Sequence, residues 1–450
     1  MRVTKKQKII VLLMVVLAAI GLWVFQYETA LYRDQSKQVR TVPNSCIWVG
    51  PYVKQVPDLN IAFPDTGAAY WHAGYTLPEG ASLSFQGQYP HARYMSFNSY
   101  NRVGKPASVL TDINIKPNLG STNPFLTGAD RQAENRSYAI SVVEKTERQN
   151  STKPNVLYKA PTVGEKTILI YRVYLSDEGL SLDGGVGLPE PVLTLADGRR
   201  MTGQQACDEL NVETSIINNP YIPKLLYRFI RWLSDPADLP VKWETAFNLP
   251  YTLRCGFMDY CGGEPEKVVT FYANLDNHYV ASFINRNYGE IVVTKGRMPV
   301  TPKTLSSNPL MADEQAQLRY WSICQNEFYS QRVTECLYDE QMVTDAEGYY
   351  TIVTAPEALR PNNANAECGV NYLPWTGFGD GYGYKAASPE DNRLADGVLV
   401  VRNMLPYPEF NQAAQNLNKP NQGPEVMGAY FPQSEYMTKA AFEDLGCSSR

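Results

Sequence analysis

Few side chains in this sequence can move a proton near neutral pH. The 450-residue chain holds three histidines, His72, His91 and His278, and histidine is the side chain whose ordinary titration falls there. His72 follows Trp71, His91 stands in Tyr89-Pro90-His91-Ala92, and His278 follows Asp276 and Asn277. A shared acid–base or binding site requires these histidines to converge, with Asp276 as the carboxylate beside His278. Exposed or structurally bonded histidines are the competing reading. The sequence contains no H-E-x-x-H, no G-x-S-x-G, no phosphate-binding loop and no dinucleotide fingerprint. It therefore names no catalytic residue. Gly377-Phe378-Gly379-Asp380-Gly381-Tyr382-Gly383-Tyr384 alternates glycine with mostly aromatic residues. Phe378 and Tyr382 could stack on a flat ligand such as a sugar; a long surface loop is the plainer reading.

Two arginines recur in matched surroundings. Arg93-Tyr94-Met95-Ser96 and Arg319-Tyr320-Trp321-Ser322 are followed by Asp112 and Asp339 at corresponding places. Strand alternation puts Arg93 on the face of Met95 and Phe97, and Arg319 on the face of Trp321 and Ile323. An arginine on an apolar face needs an anion or a route to water. The expected partners are Asp112 for Arg93 and Asp339 for Arg319, as a repeated structural ion pair. A site for a ligand anion is the alternative.

The eight cysteines are an even set with no C-x-x-C spacing. That composition suits disulfides in an oxidising compartment better than zinc, so no metal and no cofactor is expected. Cys324 and Cys336 end and enter two neighbouring expected strands, so a bridge between them is expected.

The elements carrying these residues form a duplication. Tyr70, Gly80, Gly87 and Pro90 are matched by Tyr279, Gly289, Gly296 and Pro299, all at an offset of 209 positions. The arginine blocks follow at an offset of 226, and Ile168–Leu175 is matched by Val398–Leu405 at 230. Order is kept while the offset drifts by loop-sized steps. Alternation and turn residues predict strands at Ala92–Tyr100, Val109–Ile115, Leu318–Cys324, Arg332–Gln341, Tyr349–Thr354 and Gly397–Leu405. Between the copies, Thr202–Leu210 and Pro223–Leu233 read as helices. The second places Lys224, Arg228 and Arg231 on one face. That pattern suits a membrane surface or packing on the β units.

The C-terminal third has a further pattern. Arg319-Tyr320-Trp321-Ser322 is followed by the turn Asp345-Ala346-Glu347-Gly348, then Asn371-Tyr372-Leu373-Pro374-Trp375 and Leu399-Val400-Val401-Arg402. Together these residues resemble a bacterial envelope family of unknown function. Its signature is an R-Y/F-W-S strand, a D-x-x-G turn, an Asn-Trp-Leu-Pro-like segment and a final apolar strand. Tyr372 stands where that family has Trp. The resemblance covers residues 270–410 closely and 60–175 loosely. It implies tandem β-sandwich units and no established activity.

The expected fold is mainly β: tandem duplicated β-sandwich or jelly-roll units, a small helical insert and an N-terminal transmembrane helix. Arg2, Lys5, Lys6 and Lys8 precede an uncharged apolar run over residues 9–25, long enough to span a bilayer with the bulk outside. A cleaved signal peptide is the alternative for that run. The expected parts are a basic cytoplasmic segment (1–8), an anchor in the lipid bilayer (9–25), a linker (26–59), a first unit (60–175), a helical bridge (176–270), a second unit (271–410) and a tail (411–450). A net charge of −5 argues against nucleic acid as the partner. The expected role is an envelope protein that binds a ligand or partner, a glycan among the candidates. The alternative is an extracytoplasmic enzyme with its site between the two β units.

Overall fold

The computed structural model describes residues 45–144, 153–160, 166–217, 241–245, 271–305, 315–375 and 396–447, with short stretches and isolated positions elsewhere. The apolar run 9–25, the helix Pro223–Leu233 and the loop Gly377–Tyr384 lie outside them, apart from Gly21 and Tyr227. Among the described residues no helix is long and apolar enough to cross a membrane.

The fold is mainly β, with four sheets and few helices. The first half holds β1 (Val49–Tyr52), β2 (Ala68–Tyr75), β3 (Ser82–Gln88), β4 (Ala92–Tyr100), β5 (Pro106–Thr111), β6 (Ser137–Glu144), β7 (Val156–Lys159), β8 (Thr167–Ser176), β9 (Glu190–Thr194) and β10 (Arg200–Thr202), followed by helix α1 (Gly203–Glu209). The second holds β11 (Glu244–Thr245), β12 (Asn277–Asn285), β13 (Ile291–Arg297), β14 (Leu318–Glu327), β15 (Val333–Tyr338), β16 (Tyr349–Ala355), β17 (Asn371–Pro374), β18 (Asp396–Pro406) and β19 (Gln433–Met437), with short helices α2 (Gly423–Met427) and α3 (Lys439–Glu443) beside β19.

Strand order repeats between the halves. One sheet runs β1-β2-β8-β4-β5 and its counterpart β11-β12-β18-β14-β15. The other runs β10-β9-β3-β6-β7, against β19-β13-β16-β17. The final pair is parallel in both, β6 with β7 and β16 with β17. Register repeats too: Tyr70 lies opposite Arg172, and Tyr279 opposite Arg402. In each half one apolar core draws on both sheets. Trp71, Phe85, Phe97, Ile140, Tyr171 and Leu193 meet in the first. Val280, Val292, Trp321, Ile352, Leu373 and Leu399 meet in the second.

The halves extend beyond the expected boundaries. β1 lies in the stretch read as linker, β9, β10, α1 and β11 lie in the stretch read as a bridge, and β19 lies in the stretch read as a tail. These strands are short or carry no repeated residue, so alternation alone does not reveal them. A repeated tryptophan does: Trp48 Nε1 donates to the Pro189 carbonyl at 2.6 Å, and Trp243 Nε1 donates to Ser434 Oγ at 2.8 Å. Each ties the two sheets of its half together.

The expected strands Val109–Ile115 and Arg332–Gln341 end earlier, at Thr111 and Tyr338, and turn into single 3₁₀ turns beginning at Asp112 and Asp339. The reason is the acids themselves. Asp112 Oδ2 accepts the Met95 N–H at 3.0 Å, and Asp339 Oδ2 accepts the Trp321 N–H at 3.0 Å. A carboxylate takes the place a ladder carbonyl would hold, and pairing stops.

Two repeated glycines have a packing cause. Gly87 lies opposite Tyr138 and Gly296 opposite Tyr350. A Cβ at Gly87 would sit 2.9 Å from the Tyr138 hydroxyl, and one at Gly296 would sit 2.5 Å from the Tyr350 hydroxyl. The tyrosine crosses the neighbouring backbone where only hydrogen fits.

Candidate functional site: the seam between the halves

Every position of β4 and of β14 is buried. Alternation explains one face of each, since Met95, Phe97, Trp321 and Ile323 enter the cores. The opposite faces carry Tyr94, Ser96, Asn98, Tyr320 and Ser322, and the other half of the molecule covers them.

The arginines cross that seam. Arg93 Nη1 donates to both oxygens of Asp339, at 2.6 and 2.7 Å, and Arg93 Nε donates to Thr304 Oγ1 at 3.0 Å. Its Nη2 pairs with Glu340. Arg319 reaches Asp112 Oδ1 at 3.5 Å and donates to the Arg93 carbonyl at 3.3 Å. The expectation that each arginine would pair inside its own copy is therefore corrected: the partners are exchanged. Arg93 and Arg319 stand near the N-terminal ends of their strands, where both ladders skip a pair and the neighbouring strands carry Leu175 and Leu405 at positive φ. There the side chains leave the core face and enter the neighbouring half.

The exchange extends to a second pair of arginines. Arg172 Nη2 donates to the Tyr272 carbonyl at 2.7 Å, and Arg402 Nη2 donates to the Phe63 carbonyl at 2.6 Å. Phe63 and Tyr272 both have φ of 54°. The Phe63 N–H donates to Gln331 O and the Tyr272 N–H to Gly104 O, at 2.8 and 2.9 Å. The segment leading into β2 thus straps the second half, and the segment leading into β12 straps the first. The acids follow suit. Tyr320 and Ser322 donate to Asp65 at 2.8 and 2.6 Å, while Tyr94 and Thr111 donate to Asp276 at 2.8 and 2.6 Å. Tyr94, Tyr174, Tyr320 and Met404 fill the space between.

The two ends of the seam differ in charge compensation. Asp339 has a two-pronged arginine contact and Glu340 beside it. Asp112 is fully buried, its Oδ1 accepts no hydrogen bond from the described residues, and the arginine stands off. Burial pushes the Asp112 carboxyl up to about 6, against the pull of Arg319, with Asp276 adding to the rise. Burial likewise raises Asp276.

The histidines occupy three separate environments. His72 Nδ1 lies 2.9 Å from the Tyr52 hydroxyl, which accepts the Ile217 N–H. Burial, then Lys166, lowers it to about 3. His278 lies on β12 in the other half, lowered to about 4 by burial and then by Lys267. His91 sits at the entry to β4, its N–H on Gly184 O and its carbonyl on Asp177 N–H. Burial and Arg136 lower it too. Asp276 is spent on Tyr94 and Thr111 rather than on His278. Phe378 and Tyr382 lie outside the described residues.

All eight cysteines are bridged: Cys46–Cys207, Cys255–Cys261, Cys324–Cys336 and Cys368–Cys447. Cys324 faces Cys336 directly across β14 and β15. Two carboxylate–sulfur groups, Asp65 with Cys324 and Cys336 and Glu244 with Cys255 and Cys261, have a metal site's spacing. A bridged sulfur carries no thiolate charge, so these sets do not offer a metal the ligands it requires. Arg402 Nη1 instead donates to Cys324 Sγ at 2.7 Å, tying that bridge to the seam.

The sequence reading missed Arg172, Arg402, Asp65, Phe63 and Tyr272. Arg172 and Arg402 stood inside the repeated ILIYRVYL and VLVVRNML blocks, which was signal enough to single them out.

No family model matches the chain, and no curated protein matches it. An uncharacterized protein of Burkholderia cenocepacia aligns in structure at TM-score 0.45 and 12% identity, over 93% of this chain and 89% of that one. A protein of Vibrio parahaemolyticus aligns at TM-score 0.39 and 9% identity, over 88% and 92%. Likeness at that level carries no argument about this chain.

Proposed function

We propose that the chain is a membrane-anchored, extracytoplasmic, non-catalytic protein of the bacterial envelope that binds a ligand or partner, a glycan foremost. In this reading residues 9–25 are the bilayer anchor, and two β-sandwich units, about 45–217 and 241–447, form the exported part. The observation that carries it is the fate of the reactive side chains. His72, His278, Arg93, Asp339, Arg319 and Asp112 are buried, Asp276 and Glu340 are half-buried, and the seam is filled by tyrosines rather than open to substrate. The seam charges hold the halves together, which leaves recognition to the periphery. Eight bridged cysteines fit an oxidising compartment. The aromatic–glycine run over 377–384 supplies rings that could stack on a sugar.

The test is binding of the purified full chain to arrays of envelope glycans and lipids, repeated with Phe378→Ala/Tyr382→Ala. The expected result is retention of one glycan class, lost in the double variant. Turnover of any array component would instead make this an enzyme. Topology has its own check: a reporter fused after Arg450 should be active only outside the cytoplasm.

A further inference from the structure

The matched sheets differ at one edge. In the first half β9 is flanked on both sides, by β3 and by β10. In the second half, among the described residues, β19 pairs with β13 alone. Register aligns the two edges, because Leu83 faces Leu193 and its counterpart Val292 faces Tyr436. Val192, Leu193 and Thr194, which β10 covers, therefore correspond to Glu435, Tyr436 and Met437. Every second residue of an edge strand turns its N–H and C=O away from its one neighbour. No further backbone hydrogen bond reaches residues 433–437 among the described residues. Gln433 and Glu435 are exposed.

What fills this edge in the first half shows what the second can take. β10 runs antiparallel as Arg200-Met201-Thr202, placing Met201 opposite Leu193 and packing it on the first core. Tyr436, at Leu193's place, packs on the second core. An incoming strand would set an apolar residue opposite Tyr436. Its neighbour at the place of Thr202 would stand opposite Glu435. Pairing with a second copy of β19, centred on that residue, would set Glu435 against Glu435, a repulsive cross-strand pair.

We propose that β19 is a strand-addition site for an extended peptide of a partner protein, with an apolar residue opposite Tyr436 and a basic residue opposite Glu435. Main-chain hydrogen bonds would supply affinity and these two positions selectivity. The site uses none of residues 377–384, so failure of the glycan arrays would leave it standing.

The probe is the peptide Gly-Arg-Arg-Met-Lys-Gly, which is the sequence of 198–203 with Lys in place of Thr202. Amide hydrogen exchange of the full chain is followed with this peptide and with its Glu counterpart. The expected result is at least tenfold slower exchange confined to residues 433–437. Binding of the Lys peptide should be at least threefold tighter than the Glu peptide, and Glu435→Lys should reverse that preference. Three results would overturn the proposal: no slowing at millimolar peptide, a preference unchanged by Glu435→Lys, or concentration-dependent slowing without peptide, which would assign the edge to a second copy.

Discussion

Arg93 and Arg319 occupy equivalent positions, yet their environments are unequal, and that inequality can be measured. Arg93 is fully buried with a two-pronged contact to Asp339, while Arg319 stands 3.5 Å from Asp112. Removing one member of a buried pair typically costs about 3–5 kcal/mol. Arg93→Ala should show that loss in full, and Arg319→Ala clearly less. A double-mutant cycle decides the pairing: Arg93 with Asp339 should couple by about 0.5–3 kcal/mol, and Arg93 with Asp112 much more weakly. Equal coupling in both cycles would refute the exchange. Asp112 also leaves a pH signature. Its folded carboxyl titrates near 6 instead of the ordinary 3.8. At the acid end both states hold the proton and the group is neutral to stability. As pH rises from about 4 to about 6 the unfolded chain has released that proton while the folded one retains it, so stability falls. Above that window a constant penalty remains. Asp112→Asn removes this contribution. Wild-type stability minus that of the variant should therefore fall as pH rises through this window, by roughly 2–3 kcal/mol. A difference that rises across the same window would contradict the burial of an under-compensated acid.

Strands bring these residues to the seam, and their legibility varied for physical reasons. Ala92–Tyr100 was readable to the residue because alternation places Met95 and Phe97 in a core. The cross-strand Cys324–Cys336 bridge was readable because a hairpin brings neighbouring strands together. The exchange was not readable. In a duplicated chain each arginine has an equivalent acid in either copy, and spacing cannot tell a partner in the same unit from one in the other. β9 and β19 escaped because Glu190–Thr194 and Gln433–Met437 share no residues: their equivalence lies in backbone pairing. Repeated glycines were visible, but their cause was not, since Tyr138 and Tyr350 lie on strands the repeat did not mark. That cause predicts an effect. Gly296→Ala would push a methyl within 2.5 Å of the Tyr350 hydroxyl, on a ring that is itself buried. Overpacking of this kind costs about 1–3 kcal/mol. Gly348→Ala makes the comparison: there a Cβ meets nothing within 4 Å, and the cost is that of a positive φ alone. Combining Gly296→Ala with Tyr350→Leu should cost less than the sum of the two losses, because both act on one contact. Strictly additive losses in thermal denaturation would show that the ring is not the cause.

At the scale of the molecule, the straps and arginines make the two cores interdependent. Opening the seam leaves Arg93, Asp339, Arg402 and Asp65 without their partners and exposes Tyr94, Tyr174 and Tyr320 together. Arg93, Arg402 and the three tyrosines belong to strands whose other faces line a core, so the loss cannot be confined to the surface. Unfolding of the first half alone would also strip residues 60–67 from the second half and take from residues 271–276 their platform on β4 and β5. Multidomain chains commonly unfold in steps, but reciprocal straps remove the independent step. The central strands β4 and β14 should therefore exchange their slowest amide hydrogens with the same free energy of opening and the same denaturant dependence, as one cooperative unit. Arg93→Ala tests the cause. By weakening the seam rather than either core, it should lower the opening free energy of β4 and β14 equally, although the substitution lies in β4. A drop confined to β4 would mean that the halves are merely adjacent, and that the exchanged ion pairs do not couple them.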